Sequence, residues 1–139
     1  MGLNLTKEFK TDKESEVNGI WEDFGDGCEV KIARIGNPNF RKVSTEVRKP
    51  YKKQINRGTL SEEKTTNLLI KILAKTIILD WKGLTENDEN GKEVEIEYNY
   101  ANCIRVLTDY PDFREQVVEI STSMEAYKIN LDEEEEENL

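Results

Sequence analysis

The residues most suggestive of chemistry lie between positions 86 and 97. There Asp88, Asn90, Gly91 and Glu97 occupy the third, fifth, sixth and twelfth places of a calcium-binding EF-hand loop that would start at Glu86. Such a loop sets oxygen ligands at alternate positions, turns sharply on its glycine and closes with a bidentate glutamate. Two positions depart from the pattern: Glu86 stands where aspartate is expected, and Glu93 stands where an apolar residue anchors the loop. No second such loop occurs, so the segment reads as a solvated turn and no metal ligand is assigned.

The chain has no histidine, which removes the side chain best suited to proton transfer near neutrality and the commonest metal-binding nitrogen. Cys28 and Cys103 form no Cys-x-x-Cys pair and read as reduced, small, partly buried apolar residues. With 29 acidic residues, some carboxylates fall close together in any fold, so proximity alone marks no acid–base pair. No glycine-rich loop joins a catalytic lysine, and no nucleophile elbow is present. Trp21 and Trp81 read as core anchors, because an indole buries so much area. The expectation is a protein without catalytic residues or cofactor.

Charge is the stronger signal. The net charge is −9, unevenly spread: three Lys against eight acids in residues 1–30, nine Lys or Arg against Glu46 alone in 31–57, and eight against twenty in 58–139. Such asymmetry bears on partners and association rates. The candidate partner-binding residues are Arg41, Lys42, Arg48, Lys49, Lys52, Lys53 and Arg57. These groups could engage phosphates by releasing condensed counterions, but the acidic whole repels a polyanion and no RNA-binding aromatic signature accompanies them. No nucleic acid partner is expected. The acidic run at 132–137 either folds back over the basic segment or stays solvated.

These groups need a scaffold. At 139 residues the chain fits one domain, read as a flexible arm at 1–16, a globular body at 17–131 and an acidic tail at 132–139. A first strand is expected over 17–22, a turn at Gly25, Asp26 and Gly27, and a second strand in which Cys28, Val30 and Ile32 share a face. Trp21 and Phe24 are its expected apolar anchors. Gly36 turns the chain, Asn37 caps a helix and Pro38 opens it. Phe40, Val43, Val47, Tyr51 and Ile55 then recur at helical steps, with the basic residues outward and Pro50 kinking or splitting the helix.

Gly58 closes that segment, and Ser61 or Thr59 opens a central helix carrying Leu68, Leu69, Ile72, Leu73, Ile77 and Ile78. It is expected to end near 79–84, with Gly83 as the stop and Trp81 packed back on the core. Residues 85–97 read as a polar connection. Asn99 caps a short helix, Pro111 restarts the chain, and Phe113, Val117, Val118, Ile120, Met124 and Tyr127 mark a final helix. The fold class is α+β, mainly helical with an N-terminal β-hairpin. No apolar run long enough to cross a bilayer and no export signal is present, so a soluble protein without a membrane partner is expected.

Four segments in order carry a family resemblance: GIWEDFGDG at 19–27, KIARIGNPNF at 31–40, LDWKGL at 79–84 and LTDYPDF at 107–113. With this spacing the chain resembles the tail assembly chaperones of long-tailed bacteriophages (siphoviruses) over most of residues 17–127. The resemblance implies a non-enzymatic protein of the host cell cytoplasm that binds the helical tape measure protein, helps recruit tail tube protein, forms homo-oligomers in some members, and leaves before the virion is complete. The alternative is a structural tail component, an adaptor or terminator, retained in the particle. It implies no catalytic residues.

Overall fold

The computed structural model of the protein describes residues 2–129. In chain order the elements are α1 (Leu5–Phe9), α2 (Lys13–Asn18), β1 (Ile20–Gly25), β2 (Cys28–Ile32), α3 (Pro38–Arg48), α4 (Lys52–Arg57), α5 (Glu62–Thr76), β3 (Ile78–Lys82), β4 (Thr85–Asn87), β5 (Glu93–Glu95), α6 (Tyr100–Asp109) and α7 (Pro111–Thr122). Of the described residues helix takes 55% and strand 19%, so the fold is a mainly helical α+β one built behind an N-terminal hairpin. The acidic tail expected at 132–139 lies outside the described residues.

Strands β1, β2 and β3 form an antiparallel sheet in that order. Alternation along β2 turns Cys28, Val30 and Ile32 into the core, where they are buried. The same alternation overturns the expectation for Trp21. Ile20 and Glu22 lie opposite the inward Ile32 and Val30 of β2, so Ile20, Glu22 and Phe24 take the half-buried positions, and Trp21, opposite Lys31, falls on the outer face, 38% exposed. There the Lys82 and Lys31 ammonium groups stand 4.2 and 5.9 Å from its ring, a cation–π arrangement. Phe24 packs against Phe113 with ring centroids 5.4 Å apart.

The central helix is shorter than its apolar periodicity suggested. α5 ends at Thr76, and Ile78–Lys82 is the third strand, with Val30 opposite Trp81 and Glu29 opposite Lys82. A run as apolar as residues 68–79 fits a buried helix or a buried strand equally well; the open edge of β2 supplies the backbone partners that select strand. Trp81 is buried, donates its indole N–H to the Ile96 carbonyl at 2.7 Å and meets Tyr98 edge-on. Gly83 therefore ends a strand, not a helix. Its φ is +70°, and a Cβ there would sit 2.5 Å from the carbonyl oxygen of Gly27.

Two further segments differ from their sequence readings. Residues 85–97, expected as a connection, contain the hairpin β4–β5, closed by Asp88 and Lys92. The first 16 residues, expected as a flexible arm, hold α1 and most of α2. Thr11 and Glu16 are buried; the Thr11 hydroxyl and the Arg34 guanidinium both donate to the Glu16 carboxylate. Thr11 also forms a bridge with Lys128, and the Asp12 N–H donates to the Tyr127 carbonyl at 2.8 Å. Polar residues carry this docking, so no apolar period announced it.

Between sheet and helices lies one core, with Val30, Ile32, Leu73, Ile77, Leu107 and Val117 all fully buried. Each such side chain contributes about 1.5–3 kcal/mol relative to exposure. Both cysteines are buried and free, and burial pushes the Cys103 thiol up to about 12. α7 stops at Thr122, so of the two residues expected further along it, Tyr127 ends a following 3-10 turn over Glu125–Tyr127 and Met124 stands just before that turn.

Candidate partner-binding surface

The basic segment is folded by its first residues. Asn37 accepts hydrogen bonds from the N–H groups of Asn39 (2.8 Å) and Phe40 (3.1 Å), while its own amide donates to the Arg34 carbonyl at 2.7 Å. Pro38 takes the first helical position, where a missing N–H costs nothing. The turn residue before them, Gly36, has a positive φ. At Pro50 the α-helix gives way to a 3-10 turn over Lys49–Tyr51, which splits α3 from α4. Gly58 then terminates α4 in the left-handed conformation and Ser61 caps α5.

This arrangement sorts the face. Phe40, Val43 and Val47 are half-buried and Ser44 is buried where α3 packs on α5. Arg41, Lys42, Arg48, Lys49, Lys52, Lys53 and Arg57 are all exposed. Among the described residues, none of these seven takes part in an ion pair. Ile55 departs from the inward stripe expected for it and is 39% exposed.

Two hollows flank Ile55. One, of about 380 Å³, is lined on the α5 side by Leu60, Leu68 and Leu69; the other, of about 420 Å³, by Thr45, Lys49 and Lys52. Arg48 and Ile55 line both. The Lys64 ammonium stands 4.7 Å from the Tyr51 ring and holds the Tyr51 hydroxyl below the usual phenol value by its hydrogen bond and charge. The surface thus combines exposed cations with an apolar knob and shallow apolar hollows. That chemistry suits reversible docking of an amphipathic helix, since apolar contact supplies affinity and exposed charge supplies salt-sensitive steering.

The oxygen-rich segment at 86–97 has a different use. Arg105 and the Tyr110 hydroxyl hydrogen-bond the Glu86 carboxylate, and the Arg105 bond chiefly holds it below the ordinary glutamate value. Asp88 accepts from the N–H groups of Asn90 and Lys92, both at 2.9 Å, fixing the hairpin turn. Among the described residues, no group of three or more His, Cys, Asp or Glu could hold a metal ion, and no helix is long and apolar enough to cross a membrane.

Sequence reasoning missed one surface. A cleft of about 800 Å³ opens between the β4–β5 hairpin and the corner where α6 meets α7, with Leu84, Ile96, Val106 and Phe113 among its lining. Its walls come from four separate stretches of chain, so no local spacing reveals it; the Tyr110–Pro111 corner was the one visible sign.

A family model described as YdaY prophage protein matches residues 35–138. No curated protein and no solved structure matches the chain.

Proposed function

The chain belongs to the YdaY prophage protein family, a phage-derived family, and from that premise we propose that it is a non-enzymatic tail assembly chaperone. In this reading it binds the long helical tape measure protein in the host cell cytoplasm, keeps it soluble, helps recruit tail tube protein and is absent from the finished virion. The ordered resemblance at 19–27, 31–40, 79–84 and 107–113 supports the role. The observation that carries it is the face of α3 and α4, where exposed cations surround Ile55 beside apolar hollows. A partner helix with an apolar stripe and acidic flanks fits that face, and its weak rim charges permit later release.

Co-expression with a tape measure protein from a phage that encodes a chain of this family tests the proposal. The expected result is a soluble partner that co-purifies with this chain and separates from it as salt rises. A partner equally soluble without it, with no complex formed, would overturn the reading. Recovery of this chain in purified virions would favour a structural tail component instead.

A further inference from the structure

The basic face carries little counter-charge of its own. Residues 31–57 hold nine Lys or Arg against Glu46 alone, and among the described residues none of the seven exposed cations at 41–57 takes part in an ion pair. The six consecutive acids at 132–137 are the densest opposite charge in the chain. Against the rest of the molecule they meet their own sign: residues 1–30 hold three Lys against eight acids, and residues 58–131 hold eight Lys or Arg against fourteen.

The described chain ends near the start of that face. Ile35, two residues before the cap of α3, donates its N–H to the Ser121 carbonyl at 2.9 Å. Six residues after Ser121, the Tyr127 ring has the Arg34 guanidinium 6.0 Å from its centre. The stretch after α7 therefore lies against residues 34–35, which lead into α3. Fully extended, residues 130–137 span about 26 Å, while Arg41 to Lys53 rise only about 18 Å along the helices. The acidic run is long enough to lie along the basic one.

We propose that the acidic run at 132–137 occupies the basic α3–α4 face of its own chain when no partner is bound. Single exposed ion pairs are weak, but tethering holds the run at an effective concentration of about millimolar. A contact too weak to join two separate molecules is then well populated within one. The same weakness lets the run leave, since an amphipathic helix brings an apolar stripe to Ile55 and its hollows and the run at 132–137 brings charge alone. Displacement by a partner helix rests on the chaperone reading, but occupancy by the run is measured on this protein alone, so either can fail without the other.

The test is paramagnetic broadening in the full chain. A nitroxide attached at Asn138→Cys is selective, because Cys28 and Cys103 are buried and burial raises both thiols. At low salt it is expected to broaden the amide signals of α3 and α4 and to spare the β4–β5 hairpin. At about 0.5 M salt, where the screening length is only a few ångström, the broadening is expected to vanish. Arg48→Glu with Lys52→Glu is expected to abolish it at low salt, with circular dichroism checking the fold. If that variant is unfolded, a neutral run supplies an independent reading: Asp132→Asn with Glu133→Gln, Glu134→Gln, Glu135→Gln, Glu136→Gln and Glu137→Gln is expected to shift the α3–α4 amide signals at low salt and leave those of the β4–β5 hairpin in place. Unbroadened α3–α4 signals at low salt overturn the proposal, as do unshifted ones in the neutral variant. Equal broadening when the spin-labelled chain is mixed with an isotope-labelled chain lacking the nitroxide also overturns it, by placing the contact between molecules.

Discussion

The hydroxyl of Tyr127 donates a 2.9 Å hydrogen bond to the carbonyl of Ile32, across 95 residues of sequence and with both side chains buried. It ties the last described turn to the central strand of the sheet. Burial drives the Tyr127 hydroxyl well above the usual phenol range, so it stays a donor at any physiological pH. Tyr127→Phe keeps the ring and strands the Ile32 acceptor. The expected loss is about 1–3 kcal/mol, read from urea unfolding; an unchanged midpoint would show that another donor reaches Ile32.

Gly83 and Gly58 offer a paired comparison. Both have positive φ, +70° and +67°, but a Cβ at Gly58 meets nothing within 4 Å, whereas one at Gly83 overlaps the Gly27 carbonyl. Alanine at either position carries about 1–2 kcal/mol of left-handed strain. Gly83→Ala is therefore expected to lose clearly more stability than Gly58→Ala in the same unfolding assay. Equal losses would mean that the Gly27 turn yields freely.

Glu16 makes stability depend on acid. Burial alone would raise its carboxyl, but hydrogen bonds from Thr11 and Arg34 and the charges of Lys13 and Arg34 together bring it below the ordinary value of 4.5. A depressed carboxyl contributes stability that is complete above its unfolded value and is lost as pH falls through the folded one. Wild-type stability should thus decline below about pH 4.5, and Glu16→Gln should flatten that part of the profile while costing about 1–3 kcal/mol at neutrality. Identical acid limbs in the two proteins would place the dependence elsewhere.

The basic face admits a separation of binding from folding. Arg48 and Lys52 are exposed and lie outside any ion pair among the described residues. Arg48→Glu with Lys52→Glu should leave stability within about 0.5 kcal/mol of wild type, as surface changes usually do. On the proposed chaperone reading, it should weaken capture of a tape measure protein at least about tenfold, near 1.4 kcal/mol. Full capture by this variant would move the partner contact off α3 and α4.

Local punctuation in the sequence located the elements whose causes are local. Asn37 with Pro38, Pro50, Gly58, Ser61, Asn99 and Pro111 act on the backbone within a few residues of themselves, and the structure starts or stops helices at each. Elements defined by distant partners were not legible. β3 is a strand because β2 lies beside it, and the β4–β5 hairpin is rich in Glu, with Glu86 held from α6 by Arg105. Docking of the first residues depends on one buried carboxylate, Glu16, which composition cannot distinguish from the exposed acids around it. For the candidate surface, the charge count identified the basic residues, yet the outward position of Ile55 follows from the 3-10 turn at Pro50 and was not foreseeable from its period.

The bridge between Thr11 and Lys128 also bears on the order of events during synthesis. Residues 125–129 leave the ribosome more than a hundred positions after Thr11 and Asp12, which form hydrogen-bonded pairs with them. A nascent chain can pair β1 with β2 early, since those strands are adjacent in sequence, but residues 10–12 must wait for these partners. Residues made more than a hundred positions earlier than their partners are thus among the last to find their seat.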